Sequence, residues 1–251
     1  LGTTEWTLAN GVKVVVKKTD FKADEVLMSA VAKGGLSRLS DEEFYMGEMM
    51  PAINSMSGVG RFSATELKKQ LSGKTAGVQP SVEHFASSMN GSASPKDLET
   101  MLQLLYLNFT QPRFDRNDYD NLMKMLRAQL ANVQSNPDYR MQEKTMEVVY
   151  GNNPRRRMVS DEIIDGFDFG KLPDIYAKLY PGANSFVFTF VGNVDLDSLK
   201  PLVEKYIGSI PTTKKPMTWR DDKTDPVQGE VTEEFNVAMQ QPKVSVYYYF
   251  S

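Results

Sequence analysis

The sequence contains one histidine and no cysteine, and these two counts limit the chemistry that the chain can perform. A zinc site with several histidines is impossible within it, and a Ser-His-Asp triad would have to use His84. His84 lies in "SVEHFASS", a predicted strand, beside Glu83, whose side chain should point to the opposite face. Without a second His or any Cys, we interpret His84 as a solvated or packed strand residue.

A cluster of sulfur atoms is the next candidate. Four thioethers in one segment could bind a soft metal such as Cu(I). They belong to Met46, Met49, Met50 and Met56. Methionine at helical spacing more often forms an adaptable core, and we prefer that interpretation. Glu48 lies in the same segment and could be a relic catalytic acid, although a lone Glu on a helix is most often simply exposed.

Charged residues after residue 150 form two further candidates. Arg155, Arg156 and Arg157 follow Asn-Pro and could hold a substrate carboxylate or phosphate. The alternatives are a solvated loop or a contact with a neighbouring module. Asp161 and Glu162 follow Ser160, which predicts a helix N-terminus and not a carboxylate pair for acid-base chemistry.

Composition narrows the classes of partner. The 251 residues are 41% hydrophobic, enough for a substantial core, and the formal net charge is −3. This charge gives no sign of nucleic acid or an anionic membrane as a partner. No apolar run predicts a membrane-spanning segment, and no signal peptide is visible, so exported (periplasmic) and cytosolic locations both stay open. The chain begins with Leu1 and ends with "VSVYYYFS", and we expect a fragment of a longer protein.

Turn and capping signals predict the elements that position these residues. Asn10-Gly11 separates two alternating runs and indicates a hairpin, and residues 25–35 form the next strand. Acidic residues then open a helix that ends near Ser57, with a kink or restart at Pro51. Later elements are a short helix with a capping box at Ser63 and Glu66, a strand pair over 74–94 broken at Pro80, several helices, a strand over 184–194, and a helix capped by Asp195 and ended at Gly208.

This order predicts an α+β fold with a mostly antiparallel sheet of about five or six strands and helices on one face. We expect residues 1–211 to form one module, 212–242 a linker, and 243–251 the truncated first strand of a following module. In the strand 184–191, alternation should put one set of side chains on one face and the second set on the other. The first set is Phe186, Phe188 and Phe190, and the second is Val187, Thr189 and Val191.

The ordered pattern over residues 5–211 resembles a known family. "TLANGVKVVVKKTD" is similar to the opening strand pair of the pitrilysin/insulinase zinc peptidases, the inverzincins. "GG…GVGRFSATEL" falls where that family has its catalytic helix and the segment after it, and "YPGANSFVFTFVGNVDLDSLKPLVEKYIGSIP" resembles its Y-x-P-x-N, strand, "VGNVD" and helix ending. The resemblance implies a metallopeptidase-like module, which in this family is one of a pair that encloses a substrate chamber.

The same resemblance implies a module without catalysis. The family's zinc motif is H-x-x-E-H with a downstream Glu ligand. The corresponding helix reads "FYMGEMMPAINSMSG", where Met, Ala and Ile fill the inner positions, and Gln129 stands where the third ligand is expected. We therefore assign no catalytic and no metal-binding residue to this chain, and no substrate-binding residue can be named.

The resemblance also implies what lies outside this chain. Zinc should be held by a catalytic peptidase module, in the same or another chain, that acts on a peptide substrate. The alternative is a non-proteolytic structural or assembly module of the same fold. An H-x-x-E-H motif in the same reading frame or a neighbouring one would favour the first possibility.

Overall fold

A computed structural model describes residues 2–234 and Val246 of the chain. Apart from Val246, the predicted strand 243–251 lies outside the described residues. The chain divides into two compact units. Unit 1 comprises Leu1–Tyr119 and Asp168–Arg220, and unit 2 comprises Asp120–Phe167 and Asp221–Ser251. The predicted boundary near residue 211 stays a prediction.

In the residues that the structure describes, six strands form one sheet in unit 1. They are β1 (Thr4–Thr7), β2 (Lys13–Lys18), β3 (Val26–Lys33), β4 (Ala76–Val82), β5 (Ala86–Ala93) and β6 (Phe186–Gly192). Their order across the sheet is β1-β2-β6-β3-β5-β4. Only the β2–β6 pair among these is parallel. The predicted α+β class with a mostly antiparallel sheet is confirmed.

Eight α-helices are present in the described residues. They are α1 (Asp41–Ser57), α2 (Ala64–Gln70), α3 (Leu98–Thr110), α4 (Arg116–Gln134), α5 (Pro137–Tyr150), α6 (Asp161–Asp165), α7 (Leu172–Leu179) and α8 (Leu196–Tyr206). Residues of α1 and α3 pack against β4, and α3 also packs against β5. Unit 2 contains α5, α6 and most of α4.

Strand β6 shows how the sequence creates a two-sided sheet. The side chains of Phe186, Phe188 and Phe190 are buried, whereas those of Val187 and Val191 are exposed. Successive side chains of a strand point to opposite faces, so the phenylalanines lie on the helix side. Phe109 of α3 contacts Phe186 edge-on, with ring centroids 5.1 Å apart. The predicted alternation in β6 is confirmed.

Capping residues begin the helices where the sequence predicted. Ser63 and Glu66 form the capping box of α2, and the Ser63 backbone N–H donates to the Glu66 carboxylate over 2.9 Å. Asp195 caps α8 by accepting from the Ser198 backbone N–H at 2.9 Å. Helix α1 continues through Pro51, so the predicted restart there is wrong. A proline removes one donor from a helix, and the neighbouring turns keep α1 continuous.

Pro80 lies inside β4 and does not break it, contrary to the sequence prediction. Among the described residues, β4 is an edge strand that pairs only with β5. Glu83 N donates to Ala86 O and Ser94 N donates to Thr75 O, so the odd-numbered residues of this stretch direct their backbone groups toward β5. Pro80 therefore directs its nitrogen away from the sheet, where the missing N–H removes no hydrogen bond from the ladder.

Candidate functional site

The turn that precedes α1 is fixed by close backbone contacts within unit 1. Leu36 N donates to Glu83 O at 3.0 Å, and Ser37 N donates to His84 O at 2.8 Å. Gly35 has a φ of +55°, and a Cβ there would lie 2.1 Å from Glu83 O. Glycine is required at this position because any side chain would collide with backbone. The turn thus sets the direction in which α1 leaves the sheet.

Helix α1 is held at its N-terminus by charge and hydrogen bonds. Ser40 N donates to the Glu43 carboxylate at 3.0 Å, and Lys178 of α7 forms an ion pair with the same carboxylate at 2.5 Å. Burial alone would raise the pKa of Glu43, but the hydrogen bonds from Lys178 and Ser40 and the Lys178 charge bring it below its ordinary value. Glu43 is therefore a structural anion that anchors α1 to α7.

The inward side chains of α1 do not suit a zinc ion. Its buried residues are Phe44, Tyr45, Met46, Gly47, Met50, Ile53, Asn54 and Ser57. Zinc sites use thiolate, imidazole or carboxylate ligands, and none of these side chains provides one. Glu48 is exposed, and so is Ala52, which therefore does not fill a buried position. Within residues 2–234 and Val246, no three or more His, Cys, Asp or Glu side chains are grouped so as to hold a metal.

The methionines of α1 contribute to the core. Met46 and Met50 are buried, and Met49 and Met56 are half-buried. Gly47 lies between them, and a Cβ on it would approach the Leu39 side chain to 2.2 Å. Such close packing is the arrangement expected of a hydrophobic core, in which flexible methionine side chains fill irregular spaces.

His84 lies in the turn between β4 and β5 and not in a strand, so the strand prediction for this residue is wrong. The β4 strand ends at Val82, because Glu83 N closes a short hairpin to Ala86 O. The His84 ring is half-buried and packs edge-on against Phe85, with centroids 4.4 Å apart. It is 5.7 Å from the Phe44 ring of α1. His84 is thus part of an aromatic contact at the base of α1.

The three consecutive arginines of unit 2 have different environments. The Arg155 side chain is buried, and its Nη1 lies 2.7 Å from Oδ2 of Asp222. Arg156 Nη2 donates to the Thr224 hydroxyl at 3.2 Å, and Arg157 is exposed. A solvated loop is therefore the wrong interpretation for Arg155. No local pattern in the sequence predicts this pair, because its two residues are 67 positions apart.

Arg156 and Arg157 line an open cleft of about 820 Å³ in unit 2. The other charged residues of its lining are Arg140, Glu143, Lys144, Glu147 and Glu162. Arg140 pairs with Glu143, and Lys144 pairs with Glu147. These two ion pairs neutralise four of the seven charged residues of the lining and leave the charges of Arg156, Arg157 and Glu162.

Three other predicted residues lie elsewhere in unit 2. Gln129 is exposed on α4. Ser160 caps α6 by accepting from Ile163 N at 3.3 Å, and Asp161 and Glu162 follow it in the first turn. The interpretation of Asp161 and Glu162 as a helix N-terminus is confirmed. Asp161 also forms a 3.4 Å ion pair with Arg127 of α4.

An apolar patch on the sheet was not identified from the sequence. Four aliphatic side chains of β3 and β6 are between 36% and 47% exposed. They are Leu27, Val31, Val187 and Val191. Val31 pairs with Val187, and Leu27 pairs with Val191, across the two neighbouring strands. The alternation in β6 indicated one half of this patch, but the register with β3 could not be read from the sequence.

No helix in the described part of the chain combines the length and apolar character that a membrane span requires.

Comparisons with known proteins agree with this architecture. A family model described as "Peptidase M16 inactive domain" matches residues 167–250. The Arabidopsis thaliana protein "Zinc protease PQQL-like" is 25% identical over 218 residues, which cover 86% of this chain and 20% of that protein. The chain spans about a fifth of the length of the curated relatives it matches.

Solved structures with low sequence identity have the same fold. The crystal structure of the periplasmic protease PqqL from Escherichia coli aligns with a TM-score of 0.78 at 22% identity, covering 88% of this chain and 24% of that one. A peptidase M16 inactive domain from Pseudomonas fluorescens aligns with a TM-score of 0.69 at 17% identity, covering 88% of this chain and 53% of that one. These findings make the chain similar to the pitrilysin-type (M16) zinc peptidases, and its residues 167–250 match the inactive domain of that family.

Proposed function

We propose that this chain is the non-catalytic part of a two-module zinc peptidase, in which it helps to form the chamber for a polypeptide substrate. A partner module, in the same or another chain, would hold zinc and perform the hydrolysis. The observation that carries this proposal is the set of side chains on α1. The helix keeps its position after the glycine turn, but its buried face consists of core residues and has no zinc ligand.

The relatives support the partner role. Those found by sequence are named zinc proteases, and this chain corresponds to about a fifth of their length. A protein of that length has room for a module that carries the catalytic motif. The fixed α1 turn and the closely packed α1 core support a structural role for this helix.

The experiment uses the longer protein that contains this chain, or this chain together with its partner. Cleavage of an unfolded polypeptide is measured after two matched substitutions. Glu→Gln in the partner's H-x-x-E-H motif should abolish cleavage, because that carboxylate activates the zinc-bound water. Glu48→Gln on α1 should leave cleavage unchanged, because Glu48 is exposed and lies beside no zinc ligand.

A second arm tests the requirement for this module. The partner should cleave polypeptides with this chain present and lose that activity without it, while retaining zinc. Equal cleavage by the partner alone would contradict the proposal, as would chelator-sensitive cleavage by this chain alone. An assembly module without proteolysis, the alternative function, predicts that no chelator-sensitive cleavage occurs in either preparation.

A further inference from the structure

In the described part of the chain, no helix covers one face of the sheet of unit 1, here named the outer sheet face. Strand register and alternating burial assign the side chains to it. At its centre, on β6 and β3, are Val187, Thr189, Val191, Leu27, Ser29 and Val31. Small polar residues of β5 and Lys13 and Lys17 of β2 flank this centre. The face is therefore apolar in the middle, with uncharged hydrogen-bonding groups on one side and cations on the other.

The apolar centre has a spacing that suits an extended chain. The Val31–Val187 and Leu27–Val191 pairs are separated by the Ser29–Thr189 pair. Residues four apart in a strand are about 13 Å apart. A ligand in the extended conformation, lying along β3 and β6, would therefore place its residues i and i+4 over the two aliphatic pairs. Its residue i+2 would lie over the hydroxyl groups of Ser29 and Thr189.

The charge on this face is opposite in sign to that of the whole chain. Within the six described strands, the cations on this face are Lys13, Lys17 and Lys33, and the one carboxylate is that of Glu5 on β1. Glu83, the residue after β4, continues the register opposite Ala86 and adds a carboxylate at the far edge of the face. Lys13 lies beside Val187, and Lys17 lies beside Val191. The chain as a whole has a net charge of −3. Charge complementarity therefore favours an acidic ligand at both ends of the apolar centre.

Lys18 provides an internal comparison, because it follows Lys17 on β2 and points to the helix side. Its charge acts there on Asp195, the cap of α8. Hydrogen bonds from Ser198 are the main cause of the lowered pKa of Asp195, and the Lys18 charge contributes to it. Lysines of the same strand thus have separate surroundings on the two faces of the sheet.

We propose that the outer sheet face binds an extended polypeptide segment that has aliphatic residues four positions apart and acidic residues at both ends. The proposal rests on the proposed function, which makes a polypeptide the substrate, and it specifies the class of polypeptide that this module contacts. Burial of four aliphatic side chains provides the attraction, and the lysines select the charge of the ligand.

The test uses a fluorescein-labelled peptide, Glu-Glu-Val-Ser-Thr-Ser-Val-Glu-Glu, and the 251-residue chain. Fluorescence anisotropy measures its affinity and that of a matched peptide with Lys in place of every Glu. The acidic peptide should bind, with an affinity that falls as salt is raised, and the basic peptide should bind at least about tenfold more weakly. Equal affinity for the two peptides, or no binding of the acidic peptide, would overturn the proposal.

Charge-reversal variants locate the binding surface. Lys13→Glu with Lys33→Glu should weaken binding of the acidic peptide by about tenfold or more. The control is Lys18→Glu on β2 with Lys200→Glu on α8. It changes the net charge of the chain by the same amount as the first pair but leaves the outer sheet face intact. Equal weakening by the two pairs would mean that net charge alone attracts the peptide, and the proposal would fail.

Polar replacements then test the apolar centre. Val31→Thr with Val187→Thr should weaken binding while leaving the thermal unfolding transition in place, because both side chains are about half exposed. Unchanged binding would contradict the proposal. This assay needs no catalytic partner. A negative result would therefore refute the proposed class of ligand, whereas the proposed chamber role is tested separately by the cleavage experiments.

Discussion

Nη1 of Arg155 lies 2.7 Å from Oδ2 of Asp222, and the two side chains are only 3% and 2% exposed. This buried ion pair joins residues after α5 to the segment that begins at Asp221. Two hydrogen bonds join the same two segments: Asn153 Nδ2 donates to Lys223 O at 2.9 Å, and Val227 N donates to Val149 O at 2.9 Å. Unit 2 is therefore formed by two stretches of chain that a buried charge pair holds together.

Replacing Arg155 with Ala should destabilise unit 2 strongly. The substitution leaves the Asp222 carboxylate buried without its partner, which costs roughly 3–5 kcal/mol in comparable cases. Amide hydrogen exchange in residues 137–157 should accelerate accordingly, while exchange in the β-sheet of unit 1 stays slow. The matched control is Arg157→Ala, because Arg157 is exposed and its loss should change stability by about 0.5 kcal/mol or less. Similar acceleration in the two variants would show that Arg155 has no special contribution.

Two neighbouring positions on β6 should differ widely in their tolerance to substitution. Phe188 is fully buried and contacts the Phe109 ring at a centroid distance of 6.2 Å. Phe188→Ala should reduce the free energy of unfolding by about 3–5 kcal/mol, because it leaves a cavity against α3. Val187→Ala, on the exposed face, should cost well under half of that. Urea denaturation followed by circular dichroism compares them, and equal losses would contradict the two-sided sheet.

Local signals in the sequence predicted much of the fold of unit 1. Alternation predicted the buried face of β6 that contains Phe188, and one capping box predicted the start of α2, because such patterns depend on residues close in the chain. The pairing of Arg155 with Asp222 depends on contacts between distant residues, which a single sequence does not reveal. His84 was misassigned for a related reason, since its turn is set by Glu83 closing the hairpin and by the turn before α1.

The folded chain should lose stability in acid, partly because the Asp97 carboxylate becomes protonated. Hydrogen bonds from Thr75 N at 2.9 Å and the Ser94 hydroxyl at 2.7 Å lower the pKa of Asp97 below its ordinary value of about 3.8. Because the folded state has the lower pKa, this contribution is present at neutral pH and is lost as the pH falls below about 3.8. Asp97→Asn should therefore lower the melting temperature at pH 7, and the difference from the unsubstituted chain should shrink toward pH 3. A difference that grows in acid would contradict the assignment.

A truncation series tests the predicted module boundary near residue 211. Residues 212–220 belong to unit 1 and bond to earlier parts of it. Thr213 N donates to Asn184 Oδ1 at 2.9 Å, and Arg220 Nη2 donates to Leu39 O at 2.7 Å. We expect both 1–211 and 1–220 to retain the sheet, with the longer piece more stable, because each hydrogen bond contributes about 0.5–1.5 kcal/mol. Thermal unfolding of the two pieces makes the comparison. If 1–211 fails to fold while 1–220 folds, the boundary lies after residue 211.

The zinc content of the purified chain tests the central claim most directly. The chain is dialysed against buffer with trace zinc, and the ratio of zinc to protein is measured by mass spectrometry. A non-catalytic module with core residues on the buried face of α1 predicts a ratio close to zero. A ratio close to one zinc per chain would contradict the account.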